Sequence, residues 1–116
     1  MQITQNQNAI RIWKNLELNI IYAGHAIVGQ DWKEPKVCSP FSRIYYIVDG
    51  EGILTVNGQR IVLKKGSVWL VPAGMTFGYF CESSMEQLFF HLNVLCSDGT
   101  DLLYGVRQLY ERKEQT

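Results

Sequence analysis

This chain is short of reactive chemistry. It has three cysteines, Cys38, Cys81 and Cys96, widely spaced and without a CxxC pair. That excludes a disulfide framework and argues against a structural zinc site; reduced thiols in a cytoplasmic protein are the simplest reading. Charge of neither sign dominates: 11 Lys plus Arg balance 11 Asp plus Glu. A domain that grips phosphates by itself is basic, so these residues are not expected to bind nucleic acid directly. No apolar run approaches the length of a membrane span. The opening MQITQNQNAIRIW lacks the basic and then apolar order of a secretory signal. Paired carboxylates, a Ser-His-Asp set, internal repeats and low-complexity tracts are all missing.

What is present is β-forming. Of 116 residues, 47% are apolar and 19% charged, which suits one soluble domain spanning 1–116. Gly24, Gly29, Asp49-Gly50, Gly52, Asn57-Gly58, Gly66, Pro72 and Gly74 cut the chain into short runs rich in Ile, Val, Tyr, Phe and Trp. Such punctuation predicts a sandwich or barrel. Strands are expected at 9–14, 19–28, 43–49, 76–81 and 86–95. Gly52–Leu63 is expected to be a hairpin, because Asn57-Gly58 tolerates the positive φ angles of a type I′ turn. Ser67–Val71 forms the next strand, and Pro72 ends it for want of an N–H. The segment 30–42 reads as a loop. Thr100–Val106 is a candidate short helix, capped by Asp98 or Thr100.

The stretch GSVWLVPAGMTF, Gly66 to Phe77, resembles the second motif of the cupins, G-x5-P-x-G-x2-H-x3-N, with phenylalanine where the motif has histidine. More narrowly, YYIVDGEGILTVNGQRIVLKKGSVWLVPAGMTFGYF followed by MEQLFFHLNV resembles the N-terminal sensing domain of AraC-family transcription regulators. The likeness spans about residues 20–96. It implies an all-β, antiparallel jelly roll. Laid on the two cupin motifs, the metal-ligand positions fall near Lys36 and Cys38 and on Arg43 and Phe77, and the motif's asparagine falls on Cys81. None of these offers an imidazole or carboxylate, and Arg43 would repel a cation. No metal or other cofactor is therefore expected. Gly66 and Gly74 are kept for their backbone conformations.

By the strand phase that the resemblance implies, Phe77, Tyr79 and Cys81 point into the barrel, as do Arg43, Tyr45 and Ile47. On the last long strand Gln87, Phe89 and His91 point inward, while Leu88, Phe90 and Leu92 take the other face. Arg43, Tyr45, Phe77, Tyr79, Gln87, Phe89 and His91 are thus the candidate ligand-binding residues: aromatic walls with a few polar groups. In arabinose-responsive relatives the positions matching Tyr79 and Phe89 line the effector pocket. Each also has a plainer reading. Phe77 and Phe89 suit a core, the tyrosines suit buried rings with local hydrogen bonds, and Arg43 suits a rim position paired with Asp49 or Glu51. His25 and His91 suit structural roles. Trp13, Trp32 and Trp69 suit packing.

The resemblance implies a non-enzymatic domain that senses a small-molecule effector, a sugar or small acid, and forms a homodimer. It would touch DNA only through a helix-turn-helix domain that this chain does not contain, and it would not engage membranes. Nothing here reads as a basic helix pair, and the chain stops where a helical dimerisation segment is expected, as a domain cut from a longer protein would. Two other readings stand beside it. One is a metal-free cupin epimerase or isomerase using His91 with Tyr79 or Tyr45 as acid and base. The other is an interaction module whose barrel is plugged by Phe77, Phe80, Phe89 and Phe90.

Overall fold

The apolar runs on either side of Asp49-Gly50 form a single strand. In the computed structural model, which describes residues 15–113, β3 runs without a break from Ser42 to Val56. Around it lie β1 (Glu17–Val28), β2 (Lys33–Val37), β4 (Gln59–Lys64), β5 (Ser67–Val71), β6 (Phe77–Phe80), β7 (Met85–Leu95) and β8 (Tyr110–Lys113). The first half of β3 pairs with β7 and β5, its second half with β4 and β6. With β1 added beside β7, β8 beside β5 and β2 beside β6, two antiparallel layers share one strand. The architecture is the all-β antiparallel jelly roll.

β3 serves both layers because it bends in the middle. Its register against β7 shifts between Ile47 and Asp49, and Gly50 sits at φ +70°. Such an irregularity inserts one residue and changes which parity faces inward. Tyr45 and Ile47 are buried before the bend, Gly52 and Leu54 after it. Both halves therefore point into the same core, made of Tyr45, Ile47, Leu54, Leu63, Trp69, Val71, Phe77, Cys81 and Met85. Ile47, Leu54 and Leu63 are wholly buried, each contributing ~1.5–3 kcal/mol over an exposed position.

The turns follow their residues. Asn57 and Gly58 take φ +51° and +78°, as the hairpin requires, and Gly66 and Gly74 stand at +85° and +80°. β5 ends at Val71, before Pro72. The hydroxyl of buried Ser42 accepts a hydrogen bond from the Ala73 N–H at 2.9 Å, tying the start of β3 to the turn after β5.

Two expectations need correction. The segment 30–42 is not all loop: β2 lies within it and pairs with β6, with an irregularity between Glu34 and Val37 where Pro35 stands. An edge strand tolerates a missing N–H there. Residues 100–106 form turns and not a helix, because Asp98 Oδ1 accepts from the Thr100 N–H and Asp101 Oδ1 from the Leu103 N–H. These bonds compete with helical ones, and Gly105 takes φ +90°. The polar residues after 106, to which no element was assigned, contribute β8. The expected strand at 9–14, with Trp13, lies outside the described residues. Among the described residues no helix is long and apolar enough to cross a membrane.

The bend can be tested against the hairpin turn. A Cβ at Gly50 would run into the Ser84 carbonyl oxygen, whereas one at Gly58 meets nothing within 4 Å. Both positions have positive φ. Gly58→Ala should cost only the conformational penalty, ~1–2 kcal/mol. Gly50→Ala should cost ~3 kcal/mol or more, since the clash adds to that penalty. Urea midpoints of the two variants measure the difference.

Candidate functional site

Between the two layers the paired strands build a ladder of side chains. β3 and β7 align Arg43 with His91, Tyr45 with Phe89 and Ile47 with Gln87. β1 extends the same face, setting Gly24 against Phe89 and Ala26 against Gln87. The other layer supplies Tyr79 from β6, and Trp32 closes in from the approach to β2. Trp32 and Tyr79 have ring centroids 4.3 Å apart, and Trp32 meets Tyr45 edge-on at 6.2 Å. The result is a partly open cavity of about 260 Å³ lined by Ala26, Val28, Trp32, Arg43, Tyr45, Tyr79, Gln87, Phe89 and His91.

Six of the seven residues singled out in the sequence therefore line one cavity. Phe77 does not. It is 3% exposed and packs in the core beside Tyr79, at 6.2 Å between rings. The Arg43 guanidinium carbon lies 5.4 Å from the Phe77 ring centre and 5.2 Å from that of Phe41. Phenylalanine at the motif's histidine position thus serves as a seat for a cation. Phe80 and Phe90 do not line the cavity either, so the barrel is not plugged by the four rings named above.

Ala26, Val28 and Trp32 were missed. The first two share a face with Gly24, since 24, 26 and 28 are half-buried while His25 and Ile27 are exposed, but apolar Ile27 between them hides that alternation in the sequence. Trp32 carried no such signal, because it precedes the irregular edge strand. His25 pairs with Glu86 at 2.6 Å on the surface. Outside the barrel, an apolar groove is lined by Lys33, Glu34, Pro35, Thr55, Tyr79 and Phe80; it lacks the convergent polar groups of the chamber.

Arg43 is the chamber's charge. One terminal nitrogen donates to Ser39 Oγ at 2.9 Å and the other to Tyr45 Oη at 3.3 Å. Its Nε is buried and has no partner among the described residues. Among the described residues no carboxylate pairs with it; Asp49 instead faces Lys65 across 3.7 Å at the surface. Burial raises the Tyr45 phenol's pKa, against the opposing pull of Arg43, so the phenol stays neutral. The His91 imidazole is pushed below its ordinary value by loss of water and then by the Arg43 charge. It stacks on Phe41 with ring centroids 4.5 Å apart. Gln87 is 3% exposed, and its Oε1 has no partner among the described residues.

These residues do not suit a divalent cation. Of the four motif positions, Lys36 and Cys38 are exposed, Arg43 is a fixed positive charge and Phe77 is a hydrocarbon. The Cys38 thiol donates to the Gly74 carbonyl at 3.5 Å. Among the described residues no three His, Cys, Asp or Glu side chains converge.

Comparison with known proteins places this geometry. The family described as Cupin domain matches residues 28–92. No curated protein matches the chain. Among solved structures, Clostridium difficile EutQ is similar with a TM-score of 0.54 at 11% identity, over 72% of this chain and 69% of that one. A predicted oxalate decarboxylase from Thermotoga maritima gives 0.54 at 18% identity, over 76% and 74%. A mutant salicylate 1,2-dioxygenase from Pseudoaminobacter salicylatoxidans gives 0.55 at 17%, over 83% of this chain but 25% of that one. At these identities the likenesses bear on fold alone.

The depressed His91 pKa has a signed consequence. The unfolded chain binds a proton at this imidazole near pH 6.5, where the folded chain resists it. His91 thus contributes stability present above about pH 6.5 that is lost as pH falls through the lower folded value. Wild type and His91→Gln should differ in urea midpoint by an amount that changes between pH 7.5 and pH 5. The wild type should lose more on acidification. Parallel midpoints across that range would contradict this account of the imidazole's surroundings.

Proposed function

Because this chain belongs to the cupin domain family, we propose that it uses the family's barrel as a receptor for a small organic molecule, without a metal. The observation that carries this reading is the convergence of Arg43, Tyr45, Tyr79, Gln87, Phe89 and His91 on one cavity between the layers. Apolar walls with a few orienting polar groups are the usual make-up of a ligand site. The role is that of an effector-sensing domain of an AraC-type regulator. It is supported by the sequence resemblance over about residues 20–96. DNA contacts then belong to a helix-turn-helix domain elsewhere in a longer protein, and the domain pairs as a homodimer. An effector works there by binding two states of the protein unequally.

Acid–base turnover is the weaker reading. It needs His91 to work with Tyr45 or Tyr79. Among the described residues no hydrogen bond joins His91 to either; its ring contacts are Phe41, Tyr22 and Phe89.

A thermal-shift screen with sugars and small acids tests the receptor reading. A binder should raise Tm with concentration, by ~2.7 kcal/mol of stabilisation at a hundred times Kd. Tyr79→Ala should remove that shift while the protein stays folded. A shift that survives in Tyr79→Ala, or a panel in which nothing shifts the wild type, would overturn the chamber as the site. Consumption of the binder that ceases in His91→Ala would establish the enzymatic reading instead.

A further inference from the structure

The chamber's polar groups are not scattered. They stand at its two ends. Rungs of one sheet face follow at ~7 Å along the strands, and three of them span the cavity. Arg43 and His91 form the first, Tyr45 and Phe89 the second, Ile47 and Gln87 the third. The first rung holds the positive charge and an unmatched N–H at Arg43 Nε. The middle rung is aromatic, with Trp32 and Tyr79 across from it. The third holds the Gln87 amide, whose Oε1 is buried without a partner among the described residues. An unmatched buried polar group costs ~1–3 kcal/mol. These two groups, the Arg43 N–H and the Gln87 amide, belong to residues at opposite ends of the one lining.

From this arrangement, and taking the chamber as a ligand site as proposed above, we infer that the ligand is a small flat monocarboxylate bearing a hydroxyl or amino donor at the end away from the acid. The carboxylate lies against Arg43, accepting from Nε and a terminal nitrogen. The flat body lies between Phe89 and the Trp32–Tyr79 pair. The distal donor reaches the Gln87 carbonyl oxygen. Size agrees: an open cavity of about 260 Å³ stands at the small end of ligand sites, which suits a small ligand. His91, held neutral beside Arg43, adds no second positive charge to the acid end near pH 7. A sugar suits the chamber less well. It brings a hydroxyl on nearly every carbon, and the aromatic middle rung would leave several of them unmatched.

The probe is 4-hydroxybenzoate, titrated by calorimetry into the unaltered chain beside three analogues. Benzoate lacks the donor, 4-hydroxybenzyl alcohol lacks the charge, and arabinose is a neutral sugar. Binding of 4-hydroxybenzoate should be weakened roughly tenfold or more by losing the carboxylate, and roughly three- to tenfold by losing the hydroxyl. Arg43→Met should remove the preference for the acid, and Gln87→Leu the preference for the hydroxyl. The analogue comparison on the unaltered protein decides the matter even where a variant fails to fold. Arabinose or the neutral alcohol binding as tightly as the acid would overturn this inference while leaving the receptor reading intact. So would absence of 4-hydroxybenzoate binding at millimolar concentration alongside a sugar that binds. If neither these probes nor any compound of the screen binds, the receptor reading falls and takes this inference with it.

Discussion

Everything in this molecule depends on one extra residue in the middle of β3. A strand presents alternate side chains to alternate faces, so a straight strand of fifteen residues would commit its whole odd set to one side. The irregularity between Ile47 and Asp49 exchanges the sets. Tyr45 and Ile47 then serve the interior from one layer, and Leu54 serves it from the other. The backbone at Gly50 makes this possible, because the conformation is left-handed and the Ser84 carbonyl leaves no room for a side chain. The two layers are thus one folded ribbon, and the cavity lies in its crease.

The crease also explains how Arg43 is held. Arg43 enters the interior from the half of β3 that pairs with His91. There it finds aromatic faces at Phe41 and Phe77, a hydroxyl at Ser39 and a neutral phenol at Tyr45. Taking a cation even partly out of water is expensive unless it is paired or hydrogen-bonded, and Arg43 is half-buried. These neighbours meet part of that cost and leave Nε unmet. Phenylalanine at position 77, where the cupin motif has histidine, offers its ring face to that guanidinium.

Most of this was legible in the sequence, for local reasons. Asn57-Gly58 marks its hairpin because few residues tolerate positive φ, and Pro72 ends its strand because it has no N–H. The inward set on β7, Gln87, Phe89 and His91, came from the phase that the family resemblance implied, because the strand itself is apolar on both faces. What stayed hidden was decided at a distance. Asp49-Gly50 carries the chemistry of a turn, yet a bulge uses the same chemistry, and only pairing with β7 and β6 distinguishes the two. β2 was masked by Pro35, which becomes tolerable once Lys33 and Glu34 find Phe80 and Tyr79 as partners. Trp32 had no period to betray it. The turns at 101–105 were a contest between helix and side-chain hydrogen bonds, and Asp98 and Asp101 settled it.

The pairing of β1 with β7 carries a kinetic implication. The hairpin of β3 and β4 closes over two residues, whereas Glu17 must find Leu95 and Val28 must find Met85. Distant partners make for slow folding, since the loop between them must be ordered before any contact repays the loss. β1 supplies Ala26 and Val28 to the cavity. The recognition surface is therefore among the last parts of the chain to assemble, and a nascent chain released before Leu95 has no such surface to offer.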